Sequence, residues 1–113
     1  MKKLSKIQIR TIEDAKHQIE VARSFETFEE YEGETNHFAK SRGGAKYVKA
    51  NIEYYERYRI YWERYKNGDV LISAGKPTIE ALVKLGIFSK PEYSPYRKQG
   101  VIDWVHYNED WEA

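Results

Sequence analysis

The chain contains no cysteine. That removes disulfides, thiolate metal sites and cysteine nucleophiles together, and it is consistent with a reducing compartment. No apolar run approaches the roughly 20 residues of a membrane span. The bases at the start, Lys2, Lys3 and Lys6, are not followed by an apolar signal region. These absences give the expectation of an intracellular, cytoplasmic protein with no membrane partner.

Catalytic patterns are missing as well. There is no G-x-S-x-G, no Walker loop and no H-E-x-x-H. His17, His37 and His106 are far apart, and none stands beside a second ligand type at metal spacing. His106 alternates within an extended run, where a structural role is expected. Glu29-Glu30 and Glu109-Asp110 read as solvated charge rather than a tuned acid/base pair. The Arg42-Gly43-Gly44 run lacks the spacing of a phosphate-cradling loop and reads as a flexible turn. The expectation is a non-enzyme with no catalytic residues, no metal and no cofactor.

What the chain does have is charge of both signs and many aromatic rings. Its 113 residues fit a single domain, with residues 1–10 and 108–113 loosely ordered. A chain of this length buries about 65% of its unfolded surface, enough for a core. The net charge is only +1, so wholesale polyanion binding is not indicated. The charge is nevertheless sorted. Residues 1–10 hold four bases and no acid, residues 13–34 sum to −6, residues 40–66 to +5 and residues 76–98 to +3, while the last eleven hold four acids and no base. Internal pairing of an acidic helix with a basic one accounts for this, and a basic binding face is the alternative.

Residues 45–66, AKYVKANIEYYERYRIYWERYK, hold seven of the seventeen aromatic residues. At 100° per residue, Tyr47, Asn51, Tyr54, Tyr58, Tyr61 and Tyr65 fall on one stripe. Val48, Ile52, Tyr55 and Trp62 form a second beside it. Together they cover an arc of about 200°, wider than the usual stripe of a surface helix. Charged residues such as Lys49, Glu53, Arg57 and Glu63 take the other side. With no Pro or Gly inside, the spacing predicts one continuous helix on the order of 33 Å long. Tyrosine suits a half-wet seam, because its ring buries area while its hydroxyl needs a partner. Packing inside the chain, a dimer seam and a surface for another protein all fit this stripe. Asn51 within it is the kind of residue that sets register in a helical pair. Stacking of nucleotide bases is a further use of an Arg-and-Tyr helix.

Elsewhere, Thr11 with Asp14 reads as an N-cap opening a helix over 12–31, kinked near Ser24 where the apolar phase changes. Residues 33–44 read as a connector. Asn67-Gly68-Asp69 is the strongest turn signal, with Gly68 as a left-handed cap. Val70 to Ile72 read as extended, and Pro77 opens a short helix over 77–86. Residues 87–88 and 101–107 read as strands that pair, with 91–95 as a loop. The fold class is α+β, mainly helical: two long antiparallel helices, a short third helix and a small C-terminal β-hairpin.

The stretch GDVLISAGKPTIEALVKLGIFSK, followed by RKQGVIDWVHY, resembles the second half of a winged-helix DNA-binding domain over residues 68–107. The resemblance implies a recognition helix followed by a wing. Mapped onto this chain, it implies nucleic-acid contacts from Lys76, Thr78, Lys84, Lys90, Tyr96, Arg97 and Lys98, with Lys and Arg on phosphates and Thr78 at a base edge. Departing from that pattern, the segment before the short helix is extended rather than helical. The first expectation for function is a small regulatory or accessory protein acting by contact with another protein or with a second copy of itself, through Tyr47, Asn51, Tyr54, Tyr58, Tyr61 and Tyr65. The alternative is a nucleic-acid binder using residues 76–98.

Overall fold

Helix α1 (Lys6–Arg23) starts earlier than the Thr11 signal suggests. Ser5 caps it: the Gln8 amide donates to Ser5 Oγ at 3.2 Å, and the Ser5 amide donates to Gln8 Oε1 at 2.9 Å. This is the reciprocal capping box, with Gln in the acidic residue's place. Thr11 instead lies inside the helix, where its hydroxyl donates to the Ile7 carbonyl at 2.7 Å. The computed structural model describes residues 3–94 and 102–112, and the fold is α+β and mainly helical, with a small antiparallel sheet.

The helix expected over 12–31 breaks rather than kinks. α1 ends at Arg23, and α2 (Phe28–Thr35) restarts behind Thr27, an extended N-cap whose side chain accepts from the Glu30 amide. The phase change after Ser24 is therefore two helices facing different neighbours. The connector expected over 33–44 also contains a helix, α3 (His37–Ser41). Asn36 links it to α2, its Oδ1 accepting from the Phe38 and Ala39 amides.

The aromatic stretch is likewise two helices, α4 (Ala45–Ala50) and α5 (Ile52–Lys66). Asn51 is the break, with φ −114° and ψ 100°. Its side chain donates to the Tyr47 carbonyl at 3.1 Å, which competes with helical continuation. The interruption turns Ile52 outward, leaving it 70% exposed although its stripe mates Val48 and Trp62 are buried.

Contacts divide the chain into two compact units, Met1–Ile19 with Gly68–Ala113, and Glu20–Asn67. In the second, Ala22, Phe28, Ala39, Val48 and Trp62 form the core, edged by six tyrosines. Two helix ends are closed by side chains there. The Trp62 indole N–H donates to the Ala22 carbonyl at 3.0 Å, and the Arg23 guanidinium donates twice to the Lys66 carbonyl. Gly33 sits where α2 meets the start of α4. A Cβ at this position would lie 2.6 Å from the Gly44 carbonyl carbon and against the Ala45 backbone, closer than real contacts allow.

The first unit is built on a sheet of order β1-β3-β2. Gly68, at φ 94°, turns the chain out of α5 into β1 (Asp69–Leu71). β3 (Ile102–Tyr107) pairs antiparallel with β1 on one side and with β2 (Phe88–Tyr93) on the other. The expected loop from Pro91 is thus partly strand. β2 tolerates Pro91 because it is an edge strand with a register shift between Ser89 and Glu92. Between β1 and β2 runs α6 (Lys76–Lys84), with Pro77 in its first turn and Ile79 and Leu82 fully buried. Burying each such side chain stabilises by about 1.5–3 kcal/mol. Ile12, Ala15 and Ile19 of α1 join the same core. Gln18 binds the Leu71 backbone in both directions, at 2.9 and 3.0 Å, satisfying the free edge of β1. Trp111 tucks back, its indole N–H donating to the Tyr107 hydroxyl at 2.7 Å.

Gly33→Ala is expected to destabilise the second unit by about 1–3 kcal/mol, the range for overpacking. Urea unfolding followed by Trp fluorescence measures it, and an unchanged midpoint would mean that α2 and α4 part at little cost.

Candidate functional site

Two surfaces carry the residues that the sequence singles out. The first is α6 and its surroundings. Burial of Ile79 and Leu82 fixes the rotation of α6 and leaves Lys76, Glu80 and Lys84 exposed, with Thr78 half-buried. Lys90 is exposed at the β2 bulge, with a positive φ of 50° that L residues rarely adopt. Tyr96, Arg97 and Lys98 lie outside the described residues.

The fold brings bases to α6 that sequence reasoning did not assign to it. Lys3, Leu4 and Gln8 line a cleft of about 160 Å³ with Ala81, Lys84 and Leu85. Lys6 and Arg10 are exposed one and two turns further along α1. Several acids of the same unit have partners within it or lie near them in sequence. Lys16 pairs with Glu112 at 3.2 Å, Asp69 Oδ1 lies 3.1 Å from His106 Nδ1, and Glu109 and Asp110 are exposed nearby in sequence. Lys6 and Lys16 are separated by about 15 Å along α1. Acids also stand at the basic end, Glu80 exposed on α6 between Lys76 and Lys84 and Asp14 beside Arg10. The approach of Lys3 to Lys84 has no local signal, because it depends on which distant segments the core brings together.

The second surface is the tyrosine row. Phe38, Tyr47, Tyr54, Tyr58 and Tyr61 form a continuous ladder with ring centroids 5.9, 5.6, 5.6 and 6.2 Å apart. Tyr47, Tyr54, Tyr58 and Tyr65 are half-buried against the second unit's core, and Tyr61 is 41% exposed. Arg42 stacks over the Phe38 ring at 3.5 Å and closes one end of the ladder. Asn51 spends its amide within its own chain, on Tyr47.

Glu32 is a group that sequence reasoning missed. It is only 6% exposed, and its Oε1 accepts from Asn36 Nδ2 at 2.7 Å. Burial raises its pKa above the ordinary carboxylate range, while the Asn36 hydrogen bond pulls the other way. Burial, and then the Glu32 charge, raise the Tyr31 hydroxyl. Burial also pushes up Tyr65, with Tyr31 and Tyr61 adding to it. The signal was available: Phe28, Glu32 and Asn36 recur every four residues, placing Glu32 on the apolar face of α2.

Asp69 and His106 face each other across β1 and β3, which gives His106 a structural partner. Among the described residues no three His, Asp or Glu side chains gather at a metal-holding spacing. Among the same residues no helix is long and apolar enough to cross a membrane.

A carboxyl whose pKa is raised by folding stabilises the fold below its unfolded pKa, and that stabilisation is lost as pH rises through the folded value. Glu32→Gln keeps an acceptor for Asn36 and cannot ionise. Its thermal midpoint is expected to exceed that of the wild type at about pH 8 and to match it at about pH 3, below the ordinary glutamate range. Equal midpoints at both pH values would show that the Glu32 carboxylate is solvated. The chain matches no protein-family model, no curated protein and no solved structure.

Proposed function

We propose that this protein binds nucleic acid through the basic end of its first unit. The observation that carries the proposal is the gathering of bases: Lys3 and Lys84 line one cleft, Arg10 lines the next, and Lys6 and Lys76 are exposed on α1 and α6, with Glu80 and Asp14 as the acids among them. A short helix with a buried Ile-Leu face, followed by an antiparallel hairpin in a sheet of order β1-β3-β2, supports the winged-helix resemblance of residues 68–107. In this role Lys76, Lys84 and Lys90 hold phosphates, and Thr78 is the side chain of α6 placed to reach a base edge.

A second reading is supported by the tyrosine ladder. Tyr61, Ile52 and Ile60 stay exposed on α5, and tyrosine and arginine are favoured at protein interfaces. In this reading the protein is a regulatory module that pairs with another protein or with itself.

Salt separates the two. Binding of a random-sequence duplex is expected to weaken steeply with salt, and Lys76→Ala with Lys84→Ala to lower the slope of log K against log salt by roughly 0.9 per lysine lost. A protein that runs as a dimer by light scattering and leaves the duplex unshifted at low salt would favour the ladder and reject the nucleic-acid proposal.

A further inference from the structure

The resemblance points to α6 and the hairpin as the contacting elements. The clefts of the first unit point to another element as well. The first lies between the start of α1 and the end of α6, with Leu4, Ala81 and Leu85 as its apolar floor. Its polar groups are Lys3, Lys84 and Gln8. Gln8 Oε1 is already occupied by the Ser5 amide, so Gln8 offers the cleft its N–H groups. Two of the side chains at this rim are cations, and Gln8 adds amide N–H donors. A cleft with donors around it and no acid in its lining suits an oxyanion attached to an apolar body.

The second cleft, about 250 Å³, lies further along α1 and is lined by Ile7, Arg10, Thr11, Asp14, Ser73 and Ala74. Thr11 spends its hydroxyl proton on Ile7. Arg10 and Ser73 remain as donors, while Asp14 opposes an anion there. Lys6 and Arg10 are four residues apart within α1 and share one side of it.

We infer that the first part of α1 is a phosphate track: Lys3 with Gln8 and Lys84 seats one backbone phosphate, its sugar lying on Leu4 and Leu85, and Arg10 with Ser73 seats another on the same strand. The inference rests on the nucleic-acid reading and deepens it, since it makes the N-terminal segment part of the contact surface alongside the short helix. A sugar-phosphate backbone fits better than a free anion because two seats follow one another along a single helix and the first has an apolar floor. Gln8 positions the phosphate and carries no charge, so its loss weakens binding without changing the salt slope.

The test uses the full chain and a random-sequence duplex, with affinity measured over a range of chloride concentrations. Lys3→Ala with Arg10→Ala is expected to lower the slope of log K against log salt by roughly 0.9, the Arg10 phosphate, with Lys84 still on the phosphate it shares with Lys3. Gln8→Ala is expected to weaken binding at an unchanged slope. Both changes lie on exposed or half-exposed positions, and circular dichroism checks that α1 persists. Lys3→Arg with Arg10→Lys keeps both charges and is expected to retain the slope. A Lys3→Ala, Arg10→Ala protein that binds with the wild-type slope overturns the track but leaves the α6 contacts standing. A wild type that does not bind duplex at any salt overturns the nucleic-acid reading itself. Replacing chloride by inorganic phosphate at matched ionic strength tests the seats themselves. Stronger displacement of the duplex by phosphate supports them, equal displacement by the two salts overturns them, and inorganic phosphate held by a wild type that binds no duplex assigns the first cleft to a free anion.

Discussion

Strand β3 is the constraint on which the first unit depends. It is bonded on both edges, to β1 and to β2, and Ile102, Trp104, Val105 and Tyr107 along it are buried. Its buried residues occupy both faces, Ile102 and Trp104 on one and Val105 and Tyr107 on the other, so a shift of one residue would misplace packed side chains on each side. β3 therefore fixes where β1 and β2 lie, and through them the loops that hold α6. The chain leaves this unit after Ile19 and re-enters it at Gly68. Gly68 turns the chain into β1, and Gln18 meets the backbone of Leu71 there. Charge follows from the same arrangement: once α1 lies along this core, its bases stand by α6 and its later residues stand by the acidic tail.

The second unit solves a different problem. Its helices carry more aromatic surface than one neighbour covers, and four short helices around Trp62 and Phe28 share that burden. Tyrosine suits this half-buried edge, where ring edges meet ring faces at Phe38–Tyr47, Tyr47–Tyr54 and Tyr58–Tyr61. The price of close approach is specific. Gly33 has no room for a side chain, and its neighbour Glu32 is drawn into the contact with only the neutral amide of Asn36 at hydrogen-bond distance among the described residues.

What was legible in the sequence was what local chemistry decides. Asn67-Gly68, Pro77 and the β-branched run of β3 each act through one or two residues, and the turn, α6 and the strand formed where those residues placed them. The fold class followed. Helix continuity was not legible. The tyrosine spacing runs through Asn51 without a fault, yet one residue at extended ψ is enough to end α4, and neither Pro nor Gly marks it. The break after Arg23 was visible as a phase change, but the same pattern also suits a helix covered on two sides. The pairing of β1 with β3 joins distant segments and carries no local mark. The candidate surface divides in the same way: the face of α6 can be projected from its own sequence, whereas the approach of Lys3 to Lys84 exists only in the folded chain.

The most direct measurement is a map of backbone amide resonances of the full chain as duplex DNA is added at low salt. Shifts concentrated on residues 3–14, on residues 73–85 and around Lys90, reversed by added salt, are the predicted result. Shifts concentrated on the tyrosine ladder between residues 47 and 61, with the α1 and α6 amides unmoved, would contradict it.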